Sequence, residues 1–550
     1  MTLLQNLRAS IAAKGHRIRA QRASHSSRSS LDSLFDYTSG RWLWNEAEQL
    51  KVRHRRFDIP GLQQIACQAV GTKRCLSLKK IGEGNFNKAY RLEMEDGQKV
   101  IAKIPHPNAG PPVLTTSSEV ATMEFARDIL NIPVPKVLAW SATDQNPVHA
   151  EYIIMEEAQG SQLHEVWKDL PLRKKVKIIR EFVEIERKLL SISFDKVGSL
   201  YFRDSGVQGC EPAIVQTAPD GTSDYIASHY SVGPITRREF WKNQRSEMQY
   251  HGPWASAAEY LESIAWREIN WIKSHADPLE PVDTPWQYTS NEQRNPEIHM
   301  ALLQKYRSAI PLITPQDPEI VSSRLWHPDF HAGNIYIDDE ARISCIIDWQ
   351  GTWTTPVFLG ANPPLVLDYS IDMLMKLPDN FKTLDDATKD RLNYQVSQSI
   401  LIHSYETYTA EKNPLMHKMM QHPHGQTLKQ LEAFAGSTWD DCLFPLQECL
   451  IRVEREWNHF DAKEPCPYHF SSEQIRQHDE EAEVFNKSQE LWSSLQGLLT
   501  DEGYTSPDTF PKAVEVLKDL RAAGLRDLKG EKRQEFESET HWIADLDVVA

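Results

Sequence analysis

Residues that could carry chemistry are concentrated between His327 and Asp348. A loop in this stretch contains an aspartate and an asparagine five positions apart, Asp329 and Asn334, and a short predicted hairpin then leads to Asp348. Carboxylate and amide oxygens of this kind form compact Mg²⁺ sites. Phosphoryl transfer needs such a site, because metal ions bridge the phosphates while one carboxylate accepts or orients the proton of the attacking hydroxyl. The spacing therefore predicts a phosphoryl-transfer centre rather than a coincidental group of loop acids.

A second candidate is the segment Gly82-Glu83-Gly84-Asn85-Phe86-Asn87, which falls between two predicted strands. Its two glycines would let backbone N–H groups approach an anion closely. The same pattern also fits an ordinary tight hairpin, and Asn87 occupies the position of the third glycine in dinucleotide-binding and protein-kinase loops. Because no helix follows directly, the segment does not predict a Rossmann unit.

Lys103 lies at the end of the apolar strand segment 100–103. A lysine in such a strand must either be paired or extend to water. Glu119, sixteen residues later, is predicted near the start of a helix and is a candidate partner. The alternative is an exposed lysine on an edge strand, and the loop at 327–334 favours the paired interpretation.

The elements around these residues follow a simple order. Residues 90–95 alternate between apolar and charged, and the Asp96-Gly97 pair predicts a hairpin into the next strand. Ser117 and Ser118 are predicted to cap a helix that carries the candidate glutamate in its first turn. Two further strands complete the order β-β-β-α-β-β, which predicts an antiparallel sheet.

The remainder of the chain is predicted to be mainly helical. The stretch 161–326 is helical in character and rich in tryptophan, and helical patterns return beyond Pro364. No linker rich in glycine or serine divides the body of the chain. The sequence therefore predicts one large unit with two lobes.

The composition limits the classes of protein to consider. With 550 residues, 40% of them hydrophobic and 25% charged, the chain is globular rather than disordered. The net charge of −16 argues against a general affinity for nucleic acid phosphates, and no apolar run is long enough for a transmembrane helix. Seven cysteines without a C-x-x-C pair fit a reducing compartment, either cytosol or mitochondrial matrix.

The first 31 residues differ in composition from the rest. They contain no Asp or Glu, several serines, and apolar residues that recur close to a helical period. Their basic residues are Arg8, Lys14, Arg17, Arg19, Arg22 and Arg28. This composition is typical of a mitochondrial transit peptide, and a disordered basic tail is the alternative. We expect residues 1–31 to direct the protein to mitochondria.

The candidate residues follow one another along the chain in the order found in a known family. The glycine-containing loop, Lys103, Glu119 and the loop ending at Asn334 together resemble the aminoglycoside phosphotransferase and choline kinase-like branch of the protein-kinase-like fold. A closer resemblance is to a fungal, mitochondrial family of this branch. It rests on segments 37–43, 104–112, 119–123, 133–137 and 151–156. The resemblance is dense over residues 37–160 and good over 324–368.

This resemblance implies an α+β, protein-kinase-like fold of two lobes, with an antiparallel-sheet N-lobe and a large, mainly helical C-lobe. It also implies five divisions: a transit peptide, an N-terminal arm, the N-lobe, a C-lobe with a helical insert and the catalytic loop, and a helical C-terminal extension. They cover residues 1–31, 32–61, 62–158, 159–368 and 369–550, respectively.

The cofactors implied by the resemblance are ATP and Mg²⁺. Lys103 would hold the α- and β-phosphates, Glu119 would position Lys103, and a hinge at residues 155–158 would offer backbone groups to adenine. The residues implied to bind ATP are Gly82, Gly84, Asn85, Lys103, Glu119, Met155, Glu156 and Ala158. We expect Lys103→Ala to weaken nucleotide binding and to leave the fold intact.

In the same resemblance Asp329 would be the catalytic base, and Asn334 and Asp348 would be the metal ligands. The sequence departs from the related patterns at two places. Pro328 stands where aminoglycoside kinases usually have glycine, and Trp349-Gln350 replaces the Phe-Gly of protein kinases. An Ala-Pro-Glu activation segment is absent from the sequence, so the resemblance does not imply protein-kinase regulation.

The predicted function is transfer of the γ-phosphoryl group of ATP to a hydroxyl of a small molecule. The alternative is a catalytically silent, nucleotide-binding pseudokinase with a structural role in mitochondrial maintenance, and a protein-kinase activity ranks third. The acidic body of the chain favours a cationic acceptor such as an amino alcohol. The alternative is that the charge only maintains solubility.

Overall fold

The computed structural model describes residues 32–218, 221–248, 250–278, 290, 292–460 and 462–546. The predicted transit peptide at residues 1–31 lies outside the described residues and stays a prediction. Each helix in the described part of the chain is too short or too polar to span a bilayer.

A five-stranded antiparallel sheet forms the smaller lobe. Its strands are β1 (Cys75–Glu83), β2 (Asn87–Met94), β3 (Lys99–Pro105), β4 (Val137–Ser141) and β5 (Tyr152–Glu156). Their spatial order is β1-β2-β3-β5-β4. The alternation predicted for β2 is confirmed, because Tyr90, Leu92 and Met94 are fully buried. Gly97 has the left-handed φ of 85° that favours glycine in the hairpin turn.

Helix α1 (Ile59–Val70) packs on this sheet and was not predicted from the sequence. Asp58 caps it, and the Asp58 carboxylate accepts a hydrogen bond from the N–H of Gly61 at 2.6 Å. Pro60 and Gly61, expected to close the N-terminal arm, therefore lie in the first turn of the helix, where proline is favoured. The arm consists of residues 32–58.

Helix α2 (Leu114–Glu124) also begins early, so the prediction that Ser117 and Ser118 cap it was wrong. The chain enters the helix through Val113, which has a left-handed φ of 70°. The two serines give no sign of this helix start, because the start depends on the left-handed backbone conformation of Val113. Both serines are buried within the helix, and Glu119 lies in its second turn.

Eight longer helices build the larger lobe in the part of the chain that the structure describes. They are α3 (Leu172–Leu189), α4 (Ala257–His275), α5 (Pro296–Ile313), α6 (Asp386–Lys412), α7 (Gly425–Ala435), α8 (Leu443–Arg455), α9 (Ser472–Ser494) and α10 (Phe510–Asp527). Shorter helices span Leu163–Val166, Ser223–His229, Val357–Gly360, Pro414–Met420, Glu531–Glu539 and His541–Ala544.

Short strands accompany these helices. Four of them flank the candidate site residues: β6 (Ser323–Trp326), β7 (Ile335–Ile337), β8 (Ile343–Ile346) and β9 (Trp353–Pro356). The stretch predicted to be mainly helical also contains Ser161–Gln162, Ser193–Phe194, Ser199–Phe202, Glu211–Pro212, Val215–Thr217 and Tyr230–Gly233. Strands of two to four residues are too short to show the alternation that identifies a strand in a sequence.

The buried side chains of the larger lobe form three cores. The first joins α3 and α6 to α2 and to the β7–β8 hairpin. The second fills the insert between α4, α5, α7 and α8, and the third lies between α9 and α10. Residues 369–550, expected to form one C-terminal extension, thus contribute to all three cores. Helical periodicity identifies the apolar face of a helix but not the surface on which it packs.

The N-terminal arm connects the smaller lobe with the C-terminal helices. Its two-residue strand Arg41–Trp42 pairs with Tyr504–Thr505 in antiparallel fashion. Leu43 and Trp44 enter the third core. Together with the lobes described above, this arrangement confirms the predicted α+β, protein-kinase-like fold.

Candidate active site

The ammonium group of Lys103 is the point at which three elements meet. Lys103 lies on β3, Glu119 on α2, and Asp348 two residues after the end of β8. Lys103 Nζ donates to Glu119 Oε1 and to Asp348 Oδ1, each at 2.6 Å. The Lys103 and Glu119 side chains are 9% and 4% exposed, whereas that of Asp348 is 37% exposed. The alternative of an exposed lysine is therefore excluded.

The charges of this group depend on one another. Burial opposes the charge on Lys103, but Asp348 and Glu119 outweigh it and raise the pKa of the lysine. Burial raises the pKa of Glu119 despite the neighbouring ammonium. Burial also opposes the charge on Asp348, and Lys103 lowers the pKa of this carboxyl below its usual range. Lys103 is thus held in its charged form beside an ionised Asp348.

His327 fixes the start of the catalytic loop. The N–H of Asp329 donates to His327 Nδ1 at 3.2 Å, and Nε2 lies 3.1 Å from the carbonyl oxygen of Ile347. Because Nδ1 accepts a hydrogen bond, Nε2 carries the hydrogen and donates it to that carbonyl. Burial lowers the pKa of His327, which keeps this tautomer neutral. The loop is therefore tied to the residue before Asp348.

Asp329 projects into the space between the lobes. Its side chain is 58% exposed. Asn334 Nδ2 donates to Asp329 Oδ2 at 3.2 Å and to the Asp329 carbonyl oxygen at 3.0 Å. An exposed carboxylate with one oriented oxygen is suited to accept a proton from a bound hydroxyl.

The register of the β7–β8 hairpin places the two candidate metal ligands side by side. Ile335 pairs with Ile346, and the N–H of Ile347 donates to the carbonyl oxygen of Asn334 at 2.9 Å. Since the amide nitrogen of Asn334 is engaged by Asp329, its side-chain oxygen is the atom left for a metal. With the partly exposed carboxylate of Asp348, this oxygen provides the hard ligands that Mg²⁺ prefers.

A cavity of about 630 Å³ between the lobes contains these residues. Every residue predicted to bind ATP except Glu119 lines it, as do Asp329, Asn334 and Asp348. Glu119 lies behind Lys103. At the hinge, the N–H of Glu156 already donates to the carbonyl oxygen of Lys136 at 3.0 Å and is not available to adenine.

Two residues at which the sequence departs from related patterns contact each other across the lobes. Asn87 Nδ2 donates to Gln350 Oε1 at 2.7 Å, and Gln350 Nε2 donates to the carbonyl oxygen of Ala109 at 2.6 Å. Asn87 stands at the third glycine position and Gln350 follows Asp348 by two residues. The sequence analysis missed this pair, although two amides at positions that usually carry glycine were the available signal.

His331 is a second residue that the sequence analysis missed. Its Nδ1 accepts a hydrogen bond from the N–H of Gly333 at 2.9 Å, so its Nε2 carries the hydrogen when the ring is neutral. Nε2 lies 3.4 Å from Asp329 Oδ2. The Nε2–H group of His331 therefore points towards the carboxylate of Asp329, the candidate base.

The chain belongs to the APH phosphotransferase enzyme family, whose sequence profile matches residues 77–357. A subtelomeric hrmA-associated cluster protein of Aspergillus fumigatus is 30% identical over 495 residues, which cover 82% of this chain and 94% of the relative. Altered inheritance of mitochondria protein 9 of Yarrowia lipolytica is 25% identical, with coverage of 83% and 82%. The protein of the same name in Saccharomyces cerevisiae is 24% identical, with coverage of 83% and 84%. The predicted family resemblance is confirmed.

Proposed function

We propose that this protein uses ATP and Mg²⁺ to transfer the γ-phosphoryl group to a hydroxyl of a small molecule. The observation that carries the proposal is the convergence of Lys103, Asp329, Asn334 and Asp348 on one cavity between the lobes. Membership of the phosphotransferase family supports it. A lysine ammonium has three donors, and two are used by Glu119 and Asp348. The third can bind a phosphate oxygen.

In the proposed reaction each residue has one task. Lys103 binds the α- and β-phosphates, and the backbone of the segment 82–87 covers them. A magnesium ion held by Asn334 and Asp348 would neutralise charge on the phosphates. Asp329 takes the hydroxyl proton as the acceptor oxygen bonds to the γ-phosphorus and the bond from that phosphorus to the β–γ bridging oxygen breaks.

The acceptor that we propose is a cationic small molecule, an amino alcohol rather than a sugar phosphate. The cavity supports this choice, because its lining contains more carboxylates than cationic groups and a negative cleft attracts cations. The exposed Asp329 lines the same cavity and would receive the hydroxyl proton of such an acceptor there.

Steady-state ADP formation with a panel of metabolites tests the function. We expect turnover that requires Mg²⁺ and an amine-bearing alcohol. Turnover confined to anionic alcohols would contradict the charge argument. Binding of ATP without turnover on a broad panel would favour the pseudokinase alternative with a structural role in mitochondrial maintenance.

The contact between Asn87 and Gln350 allows a prediction about the nucleotide loop. We expect Gln350→Ala to raise the KM for ATP several-fold. The substitution removes the hydrogen bond that joins Asn87 of the nucleotide loop to the larger lobe. Asn87→Ala should also raise the KM, although it leaves the bond from Gln350 to the Ala109 carbonyl in place, and the double variant should be no worse than Gln350→Ala. Initial-rate measurements at varied ATP give the result.

Gln496→Ala provides the control for these variants, because Gln496 is an exposed amide in the turn that follows α9. A change in the KM of the control as large as that of Gln350→Ala would show that the effect is not local. Additive effects of the two single variants would contradict the pairing of the amides.

The proposed location is the mitochondrion. Relatives from two yeasts carry the word mitochondrial in their names, and residues 1–31 have the composition of a transit peptide. We expect residues 1–45 fused to a fluorescent protein to be found in mitochondria. The matched control replaces the six basic residues of the leader by glutamine and should stay in the cytosol. A diffuse cytosolic signal from the unaltered fusion would contradict the transit peptide and favour the alternative of a disordered basic tail.

A further inference from the structure

Glu83 lies between the two glycines of the nucleotide loop, yet its side chain is only 1% exposed. A buried carboxylate is costly unless hydrogen-bond donors surround it. In this protein the donors come from two sides, the N-terminal arm and two lysines. Each side contacts a different oxygen of the carboxylate.

The arm supplies four donors to Oε2 from two consecutive residues. The N–H groups of Thr38 and Ser39 lie at 2.6 and 3.0 Å. Their hydroxyl groups lie at 3.2 and 3.1 Å. Hydrogen bonds to an ionised acceptor are stronger than bonds between neutral groups, so this part of the arm is fixed to the loop.

Two lysines of the sheet complete the site at Oε1. Lys80 Nζ lies at 3.2 Å and Lys88 Nζ at 3.5 Å. Lys80 also donates to Thr38 Oγ1 at 2.8 Å, and Lys88 donates to the carbonyl oxygen of Arg53 at 2.6 Å. Both lysines therefore join the carboxylate to the arm rather than only to the sheet.

Burial by itself would raise the pKa of Glu83, but the N–H of Thr38 and the ammonium groups of Lys80 and Lys88 lower it below the usual range. The carboxylate is therefore ionised when the arm is in place.

The other end of the arm is anchored on the C-terminal helices. Arg41 stacks its guanidinium over the ring of Phe510 at 3.8 Å, and the N–H of Leu43 donates to the carbonyl oxygen of Gly503 at 3.0 Å. Residues 37–43 thus run directly from the nucleotide loop to the third core. A displacement of these helices would be transmitted to Glu83 through a few residues.

We propose that Glu83 is a positioning residue for nucleotide binding and that the arm, anchored on the C-terminal helices, holds the nucleotide loop through it. The inference rests on the proposed function, since it concerns the same ATP site. A loop that is already ordered loses less conformational entropy when phosphates bind. The arm therefore keeps the backbone of this loop, which lacks a third glycine, in place.

Titration calorimetry with ATP·Mg²⁺ and initial rates on the full chain test the proposal. We expect Glu83→Gln to weaken ATP binding and raise the KM for ATP about tenfold, because the amide loses the ionic contacts and the loop becomes mobile. The kcat should change less than about twofold, because Asp329 is held by the larger lobe. Glu48→Gln is the matched control on the arm, where the exposed carboxylate lies 3.5 Å from the ammonium group of exposed Lys51.

Arg41→Ala extends the test to a residue of the arm whose described partners are Glu46 and Phe510 rather than the loop. It should weaken ATP binding in the wild-type background and have no further effect beside Glu83→Gln. If Glu83→Gln does not fold, the ATP affinity of Arg41→Ala alone tests the proposal.

Two outcomes would overturn the proposal. One is equal ATP affinity in the wild type and both variants, and the other is a loss of kcat at constant KM. A wild-type protein that does not bind ATP would instead overturn the proposed function.

Discussion

Replacing Asp329 by asparagine is expected to abolish phosphoryl transfer while ATP still binds. Asparagine matches the shape of the side chain and can keep the contact with Asn334, but it cannot accept the proton of the acceptor hydroxyl. General-base catalysis contributes about 10²–10⁴-fold to rates, so kcat should fall by at least about a hundredfold. The measurements are ADP formation with an active acceptor and calorimetric titration of ATP·Mg²⁺.

Asp339→Asn provides a matched control for this substitution. Asp339 is an exposed carboxyl in the turn between β7 and β8, close in sequence to the catalytic loop but outside the cavity lining. Its turnover should equal that of the wild type. Undiminished turnover of Asp329→Asn would remove Asp329 from its proposed role, and loss of ATP binding would indicate that the residue supports the nucleotide instead.

Lys103→Ala is expected to lose both nucleotide affinity and stability. The sequence predicted only the first effect, with an intact fold. The structure changes this expectation, because removing the ammonium leaves Glu119 and Asp348 facing each other without a cation. Breaking a buried ion pair by deleting one partner costs about 3–5 kcal/mol. Chemical denaturation should show a decrease in the free energy of unfolding that is somewhat smaller than this range, because Asp348 is partly exposed to solvent.

A double substitution separates the two effects of Lys103. Lys103→Met with Glu119→Gln removes both buried charges of the pair, and it should recover much of the free energy of unfolding. ATP affinity should remain as low as in Lys103→Ala, because the phosphates still lack their cation. Recovery of ATP binding in the double variant would contradict a direct contact of Lys103 with phosphate.

The sheet and the catalytic loop could be predicted because their signals are local. The alternation in β2, the Asp96-Gly97 turn and the spacing from Asp329 to Asn334 each lie within a few residues. The structure places the predicted residues around one cavity, although their roles remain proposals. The bond between Lys103 and Asp348 was not predicted, because it joins positions 245 residues apart and neither residue type specifies the other.

The arm shows the same limitation more strongly. The sequence indicated an N-terminal arm at residues 32–61 but not its docking partner, which lies at Tyr504–Thr505. The six donors around Glu83 were equally hidden, since Thr38 and Ser39 have no feature in the sequence that points to residue 83. Long-range contacts follow from the folded path of the chain, and one sequence carries no local sign of them.

The pairing of the arm with the C-terminal segment also sets an order of events during synthesis. Tyr504 donates its hydroxyl to the carbonyl oxygen of Ser39, which precedes it by 465 positions. At translation rates of about 5–20 residues per second, a ribosome needs roughly 20 to 90 s to make the intervening chain. Throughout that interval the sheet of the smaller lobe can form, but the arm lacks its anchor on the C-terminal helices. A polypeptide cut short before residue 504 would therefore carry every candidate site residue and still be unable to complete the support of its nucleotide loop.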